Sequence, residues 1–173
     1  GYVTGFPANR DERDEGEFLR AVSAAEHADV AVVFAGLPES FVSPDADRRT
    51  LRLPDCQNNL IARIAAVQKN TVVVLHAGTP VECPWAGDVS AVLCMYLAGE
   101  GVGEATDALL WGDANPSGRL PETWPLRLED TPCYLDFPGD GVTADYREGI
   151  YVGYRWYDAR KMPVLWPFGH GLS

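Results

Sequence analysis

Val30-Ala31-Val32-Val33-Phe34 is an unbroken apolar run, with Asp29 before it and Gly36 just beyond. It is short, rich in β-branched residues and lacks polar alternation, so it reads as a strand buried on both faces. That is the usual state of a parallel sheet covered by helices. Upstream, Glu17–Ala28 carries Phe18, Ala21, Val22 and Ala25 on one helical stripe, preceded by a charged, Gly-containing loop segment. Downstream, residues 36–49 hold two prolines, two serines and five charged residues. This is a loop at the carboxyl end of a strand, where open α/β sheets place ligand chemistry.

The pattern then repeats. Pro54 suits a first helical turn, and Leu60, Ile61, Ile64 and Val67 extend one apolar face. Thr71–Leu75 is a second strand, ending at His76-Ala77-Gly78-Thr79-Pro80, and Ala91–Leu97 is a third, followed by Gly99, Gly101 and Gly103. A helix over Ala105–Trp111 stops at Gly112 and the turn signal Asn115-Pro116-Ser117-Gly118. The order helix–strand–helix–strand–strand–helix is a layered α/β pattern. From about Leu120 the periodicity gives way to Pro, Asp, Gly and aromatic residues. This segment reads as a long wrapping tail with one strand near Ile150–Tyr157. Three apolar strands are few for 173 residues, and both ends read as cut from something longer.

Composition narrows the chemistry. With 46% hydrophobic and 23% charged residues the chain is globular rather than disordered. Fourteen basic against 25 acidic residues give a formal charge of -11, which disfavours nucleic acid and anionic membrane partners but not a neutral sugar. Cys56, Cys83, Cys94 and Cys133 lack close-pair metal spacing, and free thiols are the expectation. No apolar run approaches the roughly 20 residues of a membrane span, and no signal peptide is evident; the expected compartment is cytoplasmic ahead of secreted.

No P-loop, dinucleotide fingerprint, His-Glu-x-x-His helix or Gly-x-Ser-x-Gly elbow is present. Gly99-Glu100-Gly101-Val102-Gly103 follows a strand, but its spacing is wrong for a dinucleotide and Glu100 would repel a phosphate; it reads as a tight turn. His27, His76 and His170 fall in three separate regions, so neither a metal site nor a cofactor is expected. His27 reads as structural, His170 as a tail hydrogen-bonder and His76 as a cleft-side candidate. The strand-end loop gathers Glu39, Asp45, Asp47, Arg48 and Arg49. Its carboxylates could serve glycosidic acid chemistry or bind sugar hydroxyls. The plainer alternative is a solvated acidic loop braced by an Asp47–Arg48 pair.

The segments in order resemble a known family. They are Ala28-Asp29-Val30-Ala31-Val32-Val33; Asp47-Arg48 with Leu51-x-Leu53-Pro54 and Gln57; Gly78-x-Pro80-Val81 with Pro84-Trp85; and Gly99-x-Gly101-x-Gly103-x-Ala105. Asn115-Pro116-Ser117-Gly118-Arg119-Leu120, Glu148-Gly149-Ile150-Tyr151-Val152-Gly153-Tyr154-Arg155 and Pro167-Phe168-Gly169-His170-Gly171-Leu172-Ser173 complete the series. Together they resemble the C-terminal α/β sandwich domain of glycoside hydrolase family three, which includes β-glucosidases and related exo-acting enzymes.

The resemblance implies an α/β three-layer sandwich with a mainly parallel sheet, truncated on its N-terminal side. Residues 1–173 form one partial domain, including the wrapping tail from about 120. It also implies a β-linked glucoside or oligosaccharide as substrate and a missing (β/α)8 barrel domain bearing the nucleophilic aspartate; in such enzymes a fibronectin-like domain often follows. The sandwich of such enzymes usually supplies the acid/base glutamate just before the Asp-Arg pair.

Here the chain departs from its relatives. Where they tend to read Glu-x-Glu-Gly-x-Asp-Arg, this sequence reads Val42-Ser43-Pro44-Asp45-Ala46-Asp47-Arg48. Val42 and Pro44 occupy both glutamate positions. Three alternatives follow: Asp45 or Glu39 is a substitute acid/base, the donor lies elsewhere, or the parent protein is a catalytically degenerate homologue with a carbohydrate-binding or structural role. Asp47, Arg48, His76 and Trp85 are the candidate substrate-facing residues, with packing as the plainer reading of both Trp85 and Trp111; Glu148 reads as a bracing residue.

Overall fold

The computed structural model describes residues 1–43 and 47–172. They divide into two compact units: Gly1–Arg48, Arg52–Thr79 and Cys83–Gly99 in the first, and Arg49–Leu51, Pro80–Glu82 and Glu100–Ser173 in the second.

The first unit contains α1 (Glu15–Glu26), β1 (Ala31–Gly36), α2 (Asp55–Val67), β2 (Thr71–His76) and β3 (Ala91–Cys94). The three strands are parallel in the order β1-β2-β3, with Ala31 opposite Thr71, Gly36 opposite His76 and Val72 opposite Ala91. Helix α2 packs on β1 and β2, and α1 packs against α2. The helix ends are closed by side chains. Asp14 accepts the Glu17 N–H at 3.0 Å to start α1. Pro54 cannot cap α2 in that way, and Asp11 does so from a distance, accepting the N–H groups of Asp55 (2.9 Å) and Cys56 (2.7 Å). Burial acts to raise the Asp11 pKa, but these backbone hydrogen bonds hold it below the ordinary value. At the far end of α2, Gln68 donates to the carbonyls of Ala25 and Ala28 and ties that helix to the end of α1. His27 hydrogen-bonds the Ser23 carbonyl at the same end of α1, the structural role expected of it.

The two-sided burial expected of 30–34 is not found. Val33 and Ala35 are buried, whereas Val32 is 39% and Phe34 52% exposed. Strand β1 is an edge strand with one face covered and the other open. In the neighbouring β2, Val73, Val74 and Leu75 are fully buried. All four cysteines are free thiols, as the sequence suggests. Burial raises the Cys56 thiol to about 12, with Asp11 adding to the effect, so this sulfur is unreactive near neutrality.

The second unit holds α3 (Val102–Trp111), a 3₁₀ turn at Leu128–Asp130 and α4 (Tyr154–Arg160). The tail folds back on itself. Trp124 pairs with Trp166 in an antiparallel bridge, their rings edge-on at 5.3 Å, and Leu120 exchanges backbone hydrogen bonds with His170 and Gly169. His170 therefore does bond the tail, and its ring also stacks on Trp166. The strand expected near Ile150–Tyr157 is instead a turn followed by α4. Gly149 and Gly153 both take positive φ, which leaves a stretch between them too short for a strand, and helix α4 begins directly after Gly153.

Candidate functional site

The carboxyl ends of β1 and β2 are locked together before the candidate loop leaves the sheet. Leu37 donates its N–H to the His76 carbonyl at 3.1 Å. Gly36 lies so close to that same carbonyl that a Cβ would stand 2.2 Å from its oxygen, so only glycine fits. Gln57, on the first turn of α2 and 3% exposed, grips Gly36 from the other side. Its amide oxygen accepts the Gly36 N–H and its amide nitrogen donates to the Gly36 carbonyl, both at 2.9 Å. A buried side chain that satisfies both polar groups of one residue fixes where the strand ends and the loop begins.

From this anchor the loop turns through Phe41 N–H to Pro38 carbonyl (2.8 Å) and Val42 N–H to Glu39 carbonyl (3.2 Å), while Ser40 Oγ donates to the Asn9 carbonyl at 3.0 Å. Glu39 is exposed on this turn, and Asp45 lies outside the described residues. Asp47 is exposed as well, while Arg48 is half-buried and donates to Thr79 Oγ1, in the segment that follows β2. Burial lowers the Arg48 pKa from its ordinary value. His76 shares the open face of the sheet with Phe34, and their rings stack at 6.4 Å. The segments at the carboxyl ends of β1 and β2 thus carry Glu39, Arg48, Thr79 and His76, and Arg48 is bonded to Thr79.

Trp85 does not belong to this group. It is 2% exposed, and its indole N–H donates to Asn58 Oδ1 at 2.9 Å, while Asn58 in turn donates to the Leu53 carbonyl. The indole is thus enclosed within the first unit and offers no open face in this structure. Trp111, on α3, is 79% exposed. Among the described residues no cluster of three or more His, Cys, Asp or Glu side chains could hold a metal ion. No described helix is long and apolar enough to cross a membrane.

Two residues that shape the strand ends, Gln57 and Thr79, had no such role assigned from the sequence. Gln57 carried a usable signal, since it is a polar residue on the apolar face that continues through Leu60, Ile61 and Ile64. Thr79 gave none beyond its place after a strand.

Residues 8–154 match the family model of the glycosyl hydrolase family 3 C-terminal domain. The chain belongs to this family. It is 48% identical over 172 residues to thermostable β-glucosidase B of Acetivibrio thermocellus, covering 99% of this chain and 23% of that protein. To the probable β-glucosidase I of Emericella nidulans it is 42% identical, covering 97% of this chain and 20% of the other. The crystal structure of the Bifidobacterium adolescentis family 3 β-glucosidase superposes with a TM-score of 0.93 at 40% identity, over 97% of this chain and 25% of that one. The chain thus spans about a fifth to a quarter of the length of these relatives. The α/β family 3 fold expected from the motifs is the fold observed, with a three-stranded, wholly parallel sheet.

Proposed function

We propose that this domain belongs to a β-glucosidase-like, exo-acting glycoside hydrolase, and that its strand-end loop forms one wall of a sugar site completed by a (β/α)8 barrel domain. The observation that carries this reading is the convergence of Arg48, Thr79, His76 and the Glu39 turn at the carboxyl ends of two parallel strands, in a chain of this family. Arg48, held by Thr79, and Asp47 on the same loop would hydrogen-bond sugar hydroxyls, and His76 would line the rim.

Retaining hydrolysis needs two carboxyl groups about 5–5.5 Å apart, one attacking carbon and the other protonating the leaving oxygen. The acid must keep its proton near working pH, which burial between closed domains promotes. Glu39 and Asp45 are the carboxylates this loop offers as the acid. Glu39 is exposed in the domain by itself, so closure against the barrel must supply its burial.

A second reading is favoured by one specific feature. Val42 and Pro44 stand where relatives carry glutamates, which suits a degenerate domain that binds sugar or packs against the barrel without turnover. The intact protein assayed on an aryl β-glucoside separates the two. Asp45→Asn or Glu39→Gln lowers hydrolysis at least tenfold on the enzymatic reading. No hydrolysis by the unaltered protein, with sugar binding retained, selects the degenerate one. The 173-residue chain alone is expected to show no turnover.

A further inference from the structure

The second unit carries a groove of about 420 Å3 that the strand-end reading does not use. Its volume falls in the range of small-molecule sites, about 300–1,000 Å3. Leu135, Tyr134 and Trp156 supply apolar surface, and Arg147, Glu148 and Arg160 supply charge.

The two cations are already matched. Arg147 bridges Asp136 (3.2 Å) and Asp145 (2.8 Å), and the Arg160 guanidinium lies 3.7 Å above the Trp156 ring. The Trp156 indole N–H is matched too, donating to the Asp130 carbonyl at 3.1 Å. Glu148 is different. Its Oε2 is buried and has no hydrogen-bond partner among the described residues. A buried acceptor left without a donor is unfavourable, so the groove favours a ligand that brings one.

The lining decides what kind of donor. A phosphate or carboxylate ligand brings acceptors and negative charge toward Glu148, Glu129 and Asp136 and is repelled. A bare ammonium donates well but brings no apolar face to lie on Tyr134 and Leu135. A neutral hydroxyl carried on a ring meets neither objection. Tyr134 and Leu135 remain exposed, so a ring with an apolar C–H face has a surface to rest on.

We propose that this groove is a binding site for a small neutral polyhydroxylated ring of monosaccharide size, with one ligand hydroxyl donating to Glu148 Oε2. The site is built from residues 129–160 and stands independently of the strand-end reading.

The test is an equilibrium titration of the full-length protein with methyl β-glucoside, followed by tryptophan fluorescence and ligand-observed NMR. An Arg48→Ala background weakens the strand-end site, and glucoside still held by the barrel is told apart by its indifference to substitutions in the groove. Saturable binding is expected to persist in that background and to weaken at least fivefold when Glu148→Ala or Tyr134→Ala is added. Tyr134 is a surface residue, so its variant keeps the test valid if Glu148→Ala fails to fold. Absence of saturable binding overturns the proposal, as does binding indifferent to both added substitutions. Displacement of the glucoside by methylammonium but not by myo-inositol assigns the groove to a cation and also overturns it.

Discussion

Strands β1 and β2 are near twins in sequence, Ala31-Val32-Val33-Phe34-Ala35-Gly36 beside Thr71-Val72-Val73-Val74-Leu75-His76, yet they live in different surroundings. The centre of β2 is closed to solvent on both faces. On β1, only the face under α2 is closed, and Val32 and Phe34 stand open on the other. Composition cannot account for this difference, because both runs are apolar throughout. Position does: β2 has a strand on each side, and β1 has one. The lesson is that an unbroken apolar strand records the burial for which a sequence is suited, not the burial that a given stretch of chain provides. On this open side the Phe34 ring of β1 meets the ring of His76, at the carboxyl end of β2 beside the candidate site.

The comparison can be broken most directly by truncation. Leu75→Ala in β2 is expected to destabilise the chain by about 2–5 kcal/mol, through lost transfer energy and a cavity. Val32→Ala on the open face of β1 should cost well under about 1 kcal/mol, since little area is removed from contact. Urea midpoints of the two variants check this. Equal losses would show that the outer face of β1 is covered in solution, for instance by self-association.

A smaller effect sharpens the contrast at the strand ends. Gln57→Leu strands both polar groups of Gly36 beneath α2, and a loss of about 1–3 kcal/mol is expected. Hydrogen exchange at the Gly36 and Leu37 amides should accelerate, while the amides of Val73 and Val74 change only with global stability. If all four accelerate alike, Gln57 is a general core residue rather than a clamp on the end of β1.

The smallest effect concerns the helix that covers the closed face of β1. Asp11→Ala removes the remote cap of α2 and should cost about 0.5–2 kcal/mol. The Asp11 pKa lies lower in the folded chain than in the unfolded one, so its contribution is complete above the unfolded value. It is lost as pH falls through the folded value. The gap between wild type and Asp11→Ala should therefore be widest near neutrality and close in acid below about pH 4. A gap that stays constant to pH 3 would assign the cap's stability to something other than the carboxylate.

Much of the candidate site was legible. Short apolar runs separated by amphipathic stretches placed the parallel strands, and the loop after the first of them held Glu39, Asp47 and Arg48 in plain view. The ordered series of short motifs pointed to family 3, and the family model bears that out. These features are local, since period, turn residues and motif spacing are properties of neighbours along the chain. The sequence by itself therefore determined the order of the elements from α1 to α3, the parallel topology and the family.

Tertiary structure decided the rest. It chose which face of β1 lies under α2, a matter of strand order. It buried the Trp85 indole against Asn58, which sits 27 residues earlier. It joined Arg48 to Thr79 and Gln57 to Gly36 across gaps of 31 and 21 residues. In the tail, backbone turns at Gly149 and Gly153 overrode the strand propensity of Ile150-Tyr151-Val152. Burial and hydrogen-bond partnership depend on what folding brings alongside a residue, and in this chain the decisive neighbours are distant in sequence.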